Sequence, residues 1–287
     1  MSDKMKNFLV RTLSGIVMFA IVLGAILYSK WSFGALAMLI AVGGEWEFYR
    51  LSHKAGFAPQ RVIGLIAGAG VVGTSFIVML SMSEYNSAAT INTTAILGLA
   101  LFALLLIPLM FICELYRKSE TPIANIGVTL TGIIYVALPM SLLLFIPLLL
   151  GSGAWSPWGV LFYIFIIWAN DVFAYLFGVT LGKHRLFERI SPKKSWEGFI
   201  GGLLGAMAMG YVAATTLNGD VVMWVGMALI AAITGVFGDL VESLFKRSVD
   251  VKDSGNIIPG HGGWLDRFDA LILSVPFVFA YLILYLN

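Results

Sequence analysis

The chain has 287 residues, 59% of them hydrophobic and 12% charged, against about 25% charged in an ordinary soluble domain. Its formal net charge of +2 says little by itself, and no nucleic-acid partner is expected. A single cysteine, Cys113, excludes an internal disulfide and a cysteine metal site.

Apolar runs near the length needed to cross about 30 Å of hydrocarbon recur along the whole chain. They predict an all-α polytopic membrane protein with about nine transmembrane helices, near 12–28, 32–49, 62–80, 95–113, 124–147, 158–178, 198–217, 221–241 and 269–286. The second ends with Glu45 and Glu47, and the fifth is long and carries Pro139 and Pro147, so each admits a kink or a re-entrant piece. With the N-terminus inside and the C-terminus outside, 17 of the 18 Lys and Arg residues fall on the inner side, and only Lys30 lies outside. An even number of spans would break that positive-inside agreement. Lys4, Lys6 and Arg11 ahead of the first run read as a signal anchor rather than a cleaved signal peptide. The expected organisation is a set of N-terminal transmembrane helices over 1–150 and a catalytic transmembrane region over 151–287, with inner connections at 179–197 and 242–268.

Within the sixth span, Asp171 stands among apolar neighbours. An ionised aspartate inside a span costs about 2.5–3.5 kcal/mol on insertion scales, so it normally faces a cavity or a partner. Asn170, Asp171, Ala174 and Gly178 give that helix a small, polar face with room for a ligand. The connection that follows contains Gly182-Lys183-His184-Arg185 and then Ser191-Pro192-Lys193-Lys194-Ser195-Trp196-Glu197-Gly198. Ser191 followed by Pro192 predicts an N-cap with proline at the first helical position. Lys193 and Lys194 would then lie near a helix N-terminus, where free N–H groups already favour an anion. Ordinary positive-inside topology would also account for the lysines.

Ten of the 34 charged side chains fall in the 31 residues from Asp239 to Asp269, with apolar spans on both sides. Asp239, Ser243 and Lys246 share a helical face, with Glu242 offset from that line, and Asp266 and Asp269 are spaced i, i+3 at the mouth of the last span. If the two helix ends meet, Asp239, Asp266 and Asp269 surround one point, and their mutual repulsion calls for a cation or a raised pKa. Oxygen-rich sites of this kind suit Mg²⁺ completed by substrate phosphates. Pro259-Gly260-His261-Gly262-Gly263 can turn tightly and present backbone N–H groups to an anion. Lys246, Arg247, Lys252 and Arg267 interleave with the acids, the pairing of elements that phosphoryl or nucleotidyl transfer requires. The bland alternative is a solvated loop between spans. There is no Walker A motif, dinucleotide-binding fingerprint or nucleophile elbow, and three scattered histidines do not make a zinc site.

The run Ser243-Leu244-Phe245-Lys246-Arg247, Lys252-Asp253-Ser254-Gly255, Pro259-Gly260-His261-Gly262-Gly263-Trp264-Leu265-Asp266-Arg267-Phe268-Asp269 resembles the signature of the phosphatidate cytidylyltransferases, integral membrane enzymes also called CDP-diacylglycerol synthases. Asp171, Ala174, Tyr175 and Gly178, and the two segments after them, resemble the family upstream of the signature. Ser195 stands where threonine is commoner, and Val172 where a small or hydroxylated residue is usual. The likeness covers about residues 168–269, and the N-terminal half agrees only in being polytopic and basic at its start.

The resemblance implies transfer of CMP from CTP to phosphatidate, giving CDP-diacylglycerol and pyrophosphate for phospholipid biosynthesis. It implies a multi-pass cell-membrane enzyme, in the bacterial inner or plasma membrane, with a polar cavity open to the cytoplasmic face. It places Mg²⁺ at Asp239, Asp266 and Asp269, associates a second, potassium-like cation with that centre, and implies a homodimer. Asp239, Lys246, Asp266 and Asp269 are the expected catalytic residues. Asp171, Ser191, Lys193, Lys194, Ser243, Arg247, Lys252, His261, Gly262, Gly263 and Arg267 are expected to bind substrate. Two other readings are a CTP-dependent membrane lipid kinase, in which a lipid hydroxyl attacks the γ-phosphorus, and a polytopic transporter.

Overall fold

The computed structural model describes residues 3–83, 93–255, 257 and 262–286. Pro259, Gly260 and His261 of the signature lie outside the described residues. All nine apolar runs are helical, and seven helical segments among the described residues are long and apolar enough to cross a membrane. The apolar part of the first helix, Thr12–Tyr28, is shorter, and the second carries buried Glu45 and Glu47. The protein is therefore an all-α polytopic membrane protein, apart from one small hairpin in the 179–197 connection. Its contacts divide it into two compact units, Met1–Phe145 with Ser248–Arg267, and Ile146–Arg247 with Phe268–Asn287.

The first unit contains α1 (Asp3–Tyr28), α2 (Lys30–Lys54), α3 (Arg61–Ser83), α4 (Thr93–Arg117), α5 (Pro122–Gly132) and α6 (Leu138–Leu143). Ser29 starts α2 with a capping box: its Oγ accepts from the Ser32 N–H at 3.1 Å, and Ser32 Oγ accepts from the Ser29 N–H at 3.0 Å. Pro122 opens α5 at the position where its missing N–H costs nothing. A π-helical turn, Ile133–Ala137, lies just before Pro139, and a break at Leu144 and Phe145 lies just before Pro147, where the prolines predicted irregularity. A buried polar knot ties α4 to α5: the Glu114 carboxylate accepts from Gln60 Nε2 at 2.6 Å, Asn125 Nδ2 at 3.0 Å and Arg117 Nη1 at 2.9 Å. Fully donated to in this way, a carboxylate tolerates burial.

The second unit contains α7 (Ile146–Leu150), α8 (Pro157–Leu181), β1 (Arg185–Phe187), β2 (Ser191–Ser195), α9 (Trp196–Thr216), α10 (Val221–Ser248) and most of α11 (Leu265–Leu286). Its dominant packing is α8 against α9, made close by Gly198, Gly201, Gly202 and Gly205 along one face of α9. An added methyl at these positions would run into Ala174, Phe177, Asn170 and Phe173 respectively. Small residues that let backbones approach are how helices associate where lipid removes the hydrophobic drive. Asp220 caps α10, accepting from the Val222 N–H at 2.7 Å and the Met223 N–H at 3.2 Å, and Tyr285 donates to it at 2.9 Å. The Met223 N–H, followed by Tyr285 and the Val222 N–H, holds the Asp220 carboxyl below the usual carboxylate range.

One local expectation fails. Ser191 does not cap a helix: Ser191–Ser195 is the second strand of an antiparallel hairpin, and α9 begins at Trp196. Ser195 is the N-cap, its Oγ accepting from the Gly198 N–H at 3.1 Å. Pro192 is tolerated because a two-stranded ribbon is all edge and its register slips here. Glu197, in the first turn, reaches back to accept the N–H groups of Lys183 at 3.1 Å and His184 at 3.3 Å, and pairs with His184 Nδ1 at 2.6 Å. That clasp closes the 183–197 segment into a loop on the end of α9.

Candidate active site

The polar centre of the second unit starts from helical spacing. On α10, Asp239 and Ser243 are one turn apart, and Ser243 Oγ donates to Asp239 Oδ1 at 3.2 Å. Glu242 lies between them in sequence, is fully buried, and pairs with Lys246 one turn further on. On α11, Asp269 sits where the two helices come close. A methyl on Gly235 would touch Ala270 at 3.5 Å, and one on Gly238 would collide with the Asp269 backbone. The result is that carboxylate oxygens of Asp239, Glu242 and Asp269 lie within 4.8 Å of one another.

The charges around this centre are unequal. Lys194, from β2, reaches Asp239 Oδ2 at 2.7 Å, and Lys246 pairs with Glu242. Asp269 feels the charges of Asp239, Asp171 and Lys246. At the centre itself two lysines thus stand against the three carboxylates of Asp239, Glu242 and Asp269. Like charges this close require protonation or a cation, and three hard oxygen donors with room for further oxygen ligands fit a divalent ion such as Mg²⁺. Nothing among the described residues points to a second, monovalent cation.

A cavity of about 530 Å³ adjoins the centre and shares Asp239 with it. Asn170, Asp171, Ala174 and Gly178, the small polar face expected on the sixth span, all line it from α8. Arg185, Lys193, Lys194 and Ser195 of the hairpin also line it, and Val236 comes from α10. Asp171 is exposed at its rim, which is how an intramembrane carboxylate avoids an uncompensated desolvation cost. The cavity is therefore lined by both carboxylates and basic side chains, the two requirements for holding a polyphosphate beside a metal.

The expected residues are distributed as follows. Asp171, Lys193, Lys194 and Asp239 meet at the cavity; Ser243, Lys246 and Asp269 belong to the carboxylate centre; Arg247 is exposed near the end of α10, and Ser191 is half-buried at the start of β2. Glu242, which the sequence reading set aside as offset, is a full member of the centre. Its signal was present: Asp239–Glu242 has the same i, i+3 spacing as Asp266–Asp269.

Asp266, Lys252, Gly262, Gly263 and Arg267 belong to the first unit. There Asp266 Oδ2 accepts from the Ser254 N–H at 2.9 Å, Ser254 Oγ at 3.0 Å and the Gly263 N–H at 2.8 Å. Gly262 has φ +84°, a left-handed conformation that explains a glycine at this point of the motif. Lys252 and Arg267 are exposed, and His261 lies outside the described residues.

The sequence pattern of the cytidylyltransferase family matches residues 9–285, nearly the whole chain. A phosphatidate cytidylyltransferase of Rickettsia bellii is 36% identical over 185 residues, covering 61% of this chain and 77% of that protein. One from Staphylococcus aureus (strain COL) is 46% identical over 119 residues, covering 41% of this chain and 46% of that protein. One from Staphylococcus haemolyticus is 44% identical over the same length. The chain spans about half the length of the staphylococcal relatives and three quarters of the rickettsial one. A polytopic helical protein, a carboxylate centre beside a basic cavity wall and a match from end to end converge: the chain belongs to the cytidylyltransferase family.

Proposed function

We propose that the protein is a phosphatidate cytidylyltransferase, transferring CMP from CTP to phosphatidate and releasing pyrophosphate. The observation that carries this reading is the Asp239–Glu242–Asp269 centre opening onto a cavity also lined by Arg185, Lys193 and Lys194. It has the chemistry of a nucleotidyl-transfer site, and the chain's family and relatives match it.

The reaction needs no protein base. The nucleophile is a phosphate-monoester oxygen of phosphatidate, already largely ionised near neutral pH. It forms a bond to the α-phosphorus of CTP as the bond from that phosphorus to the bridging oxygen breaks, and the electron pair leaves with pyrophosphate. The barrier lies in bringing two polyanions together and stabilising the charge that develops, so the work is positioning and electrostatics. Asp239, Glu242 and Asp269 would hold a divalent cation, which when bound neutralises phosphate oxygens of the nucleotide.

Lys193, Lys194 and Arg185 serve as phosphate contacts from the cavity wall. In that role Lys194 exchanges its pairing with Asp239 for substrate phosphate once the carboxylate has a cation. Lys246 holds Glu242 in place. Ser243 orients Asp239, and Asp171 sets the polarity of the cavity. The metal role of Asp266, and phosphate roles for Ser191, Arg247, Lys252, His261, Gly262, Gly263 and Arg267, are proposed from the sequence pattern alone. A site on the cytoplasmic side serves both substrates, because CTP is soluble there and the lipid phosphate rests at the interface.

The test is product analysis. Purified protein in detergent, given CTP, phosphatidate and Mg²⁺, is expected to release pyrophosphate and form CDP-diacylglycerol. Release of CDP would mean kinase chemistry, and absence of turnover with either product would remove the assignment.

A further inference from the structure

The N-terminal helices contain no expected catalytic residue, yet one of them presents a buried carboxylate to the signature segment. On α2, Gly43, Glu47 and Arg50 lie at i, i+4 and i+7 and so share a face. That face receives Ser254, Gly255, Gly263, Trp264 and Leu265 within the first unit. Glu47 Oε2 accepts from Ser254 Oγ at 2.8 Å and from the Leu265 N–H at 3.0 Å. Arg50 donates to the Ser254 carbonyl. Trp264 packs on Gly43, where a methyl would lie 2.6 Å from its ring. Gly255 and Gly263 both pass against the Glu47 carboxylate, and a side chain on either would collide with it. Close packing against Glu47 thus accounts for glycine at two positions of the signature.

Leu265 opens α11, so its N–H is one of the donors an α-helix leaves unmade. Glu47 caps that end from a different helix, 218 residues away in sequence. Ser254, its other partner, also donates its backbone N–H to Asp266. Both ends of the 254–265 segment are therefore tied to one fully buried carboxylate. Glu47 is at 0% exposure; its Oε2 meets two donors, while its Oε1 has no hydrogen-bond partner among the described residues, so the whole tie to the segment runs through one oxygen.

We infer that Glu47 is a positioning residue for the reaction, fixing Ser254, Leu265 and, through Ser254, Asp266 in one conformation. The inference rests on the cytidylyltransferase reading for its kinetic consequence, but the structural consequence can be measured apart from it.

The experiment is amide hydrogen exchange on the full-length protein in detergent, without Mg²⁺ or nucleotide, with CTP kinetics alongside. Glu47→Ala should speed exchange of peptides covering 252–255 and 262–267 by about tenfold or more, the scale of unmade buried hydrogen bonds, while α9 peptides keep the parental rate. Glu47→Gln keeps an oxygen that can accept both bonds and should stay within about threefold of the parent in exchange. In kinetics, Glu47→Ala should lower kcat by about 10–100-fold with the KM for CTP within about threefold, as for residues that orient a metal site from behind, and Glu47→Gln should restore most of it.

Should Glu47→Ala fail to fold, Ser254→Ala removes one of the same bonds and should speed exchange in the same peptides. Parental exchange in every variant that folds would overturn the inference, as would equal kinetic loss in the Ala and Gln variants. Absence of turnover in the parent protein would sink the proposed reaction while leaving the exchange result standing.

Discussion

Two groups of acids use their charge in opposite ways. In the second unit, Asp239, Glu242 and Asp269 crowd their oxygens together, and the ammonium groups of Lys194 and Lys246 pair with Asp239 and Glu242. In the first, Glu47 and Asp266 are met by backbone N–H groups of Ser254, Gly263 and Leu265 and by the Ser254 hydroxyl. Backbone donors cannot be displaced without unfolding a segment, whereas a lysine can swing to a phosphate. The first arrangement consumes charge to fix a loop; the second leaves a negative excess that a cation and an anionic substrate can complete. A carboxylate's partners, more than its burial, separate Glu47, which holds a segment in place, from the acids of the centre.

That contrast is sharpest where a charge is removed without changing shape. Asp239→Asn and Asp269→Asn should each lower turnover by at least about 100-fold, since the lost group acts on charge that develops in the transition state. Glu242→Gln is expected to cost about 10–100-fold, because Lys246 then loses its partner while the other two oxygens persist. Steady-state kinetics at saturating Mg²⁺ would show both, and parental rates in Glu242→Gln would return that residue to a packing role. Lys194→Met should cost about tenfold in kcat/KM for CTP, with less effect on kcat, as the loss of one charge-assisted contact. An unchanged KM would end the proposed swing from Asp239 to phosphate.

The smallest expected effect lies on the structural side. Ser195→Ala removes the cap of α9 and should destabilise by about 1 kcal/mol, readable as a lower thermal midpoint in detergent with turnover retained in the folded fraction. Ser191→Ala, by contrast, should leave the midpoint at the parental value, because Ser191 caps nothing.

Much of this was legible in the residues. Long apolar runs and one-sided basic residues specify a polytopic helical protein because lipid leaves the backbone no alternative to helix. Asp239 and Asp269 were visible because acids between apolar spans are expensive, and the small face of Asn170, Asp171, Ala174 and Gly178 was visible from its spacing. The hairpin was missed because Ser191-Pro192 carries the pattern of a helix start, whereas the cap that forms is four residues further on. The choice fell to Ser195 through its bond with Gly198 and through Glu197, whose partners lie 13 and 14 residues back. Glu47 was read only as a blemish in a span, since its partner Ser254 is 207 residues away and no periodicity connects them.

The most direct test is pyrophosphate release as a function of Mg²⁺, with CTP and phosphatidate saturating, in the parent and in Asp239→Asn and Asp269→Asn. The parent should fall silent after chelation and recover fully with Mg²⁺. Each variant should need a far higher Mg²⁺ concentration for half its own maximal rate, and should reach a lower maximum. Parental Mg²⁺ dependence in both variants, or full activity in the chelated parent, would contradict a catalytic cation held by these carboxylates.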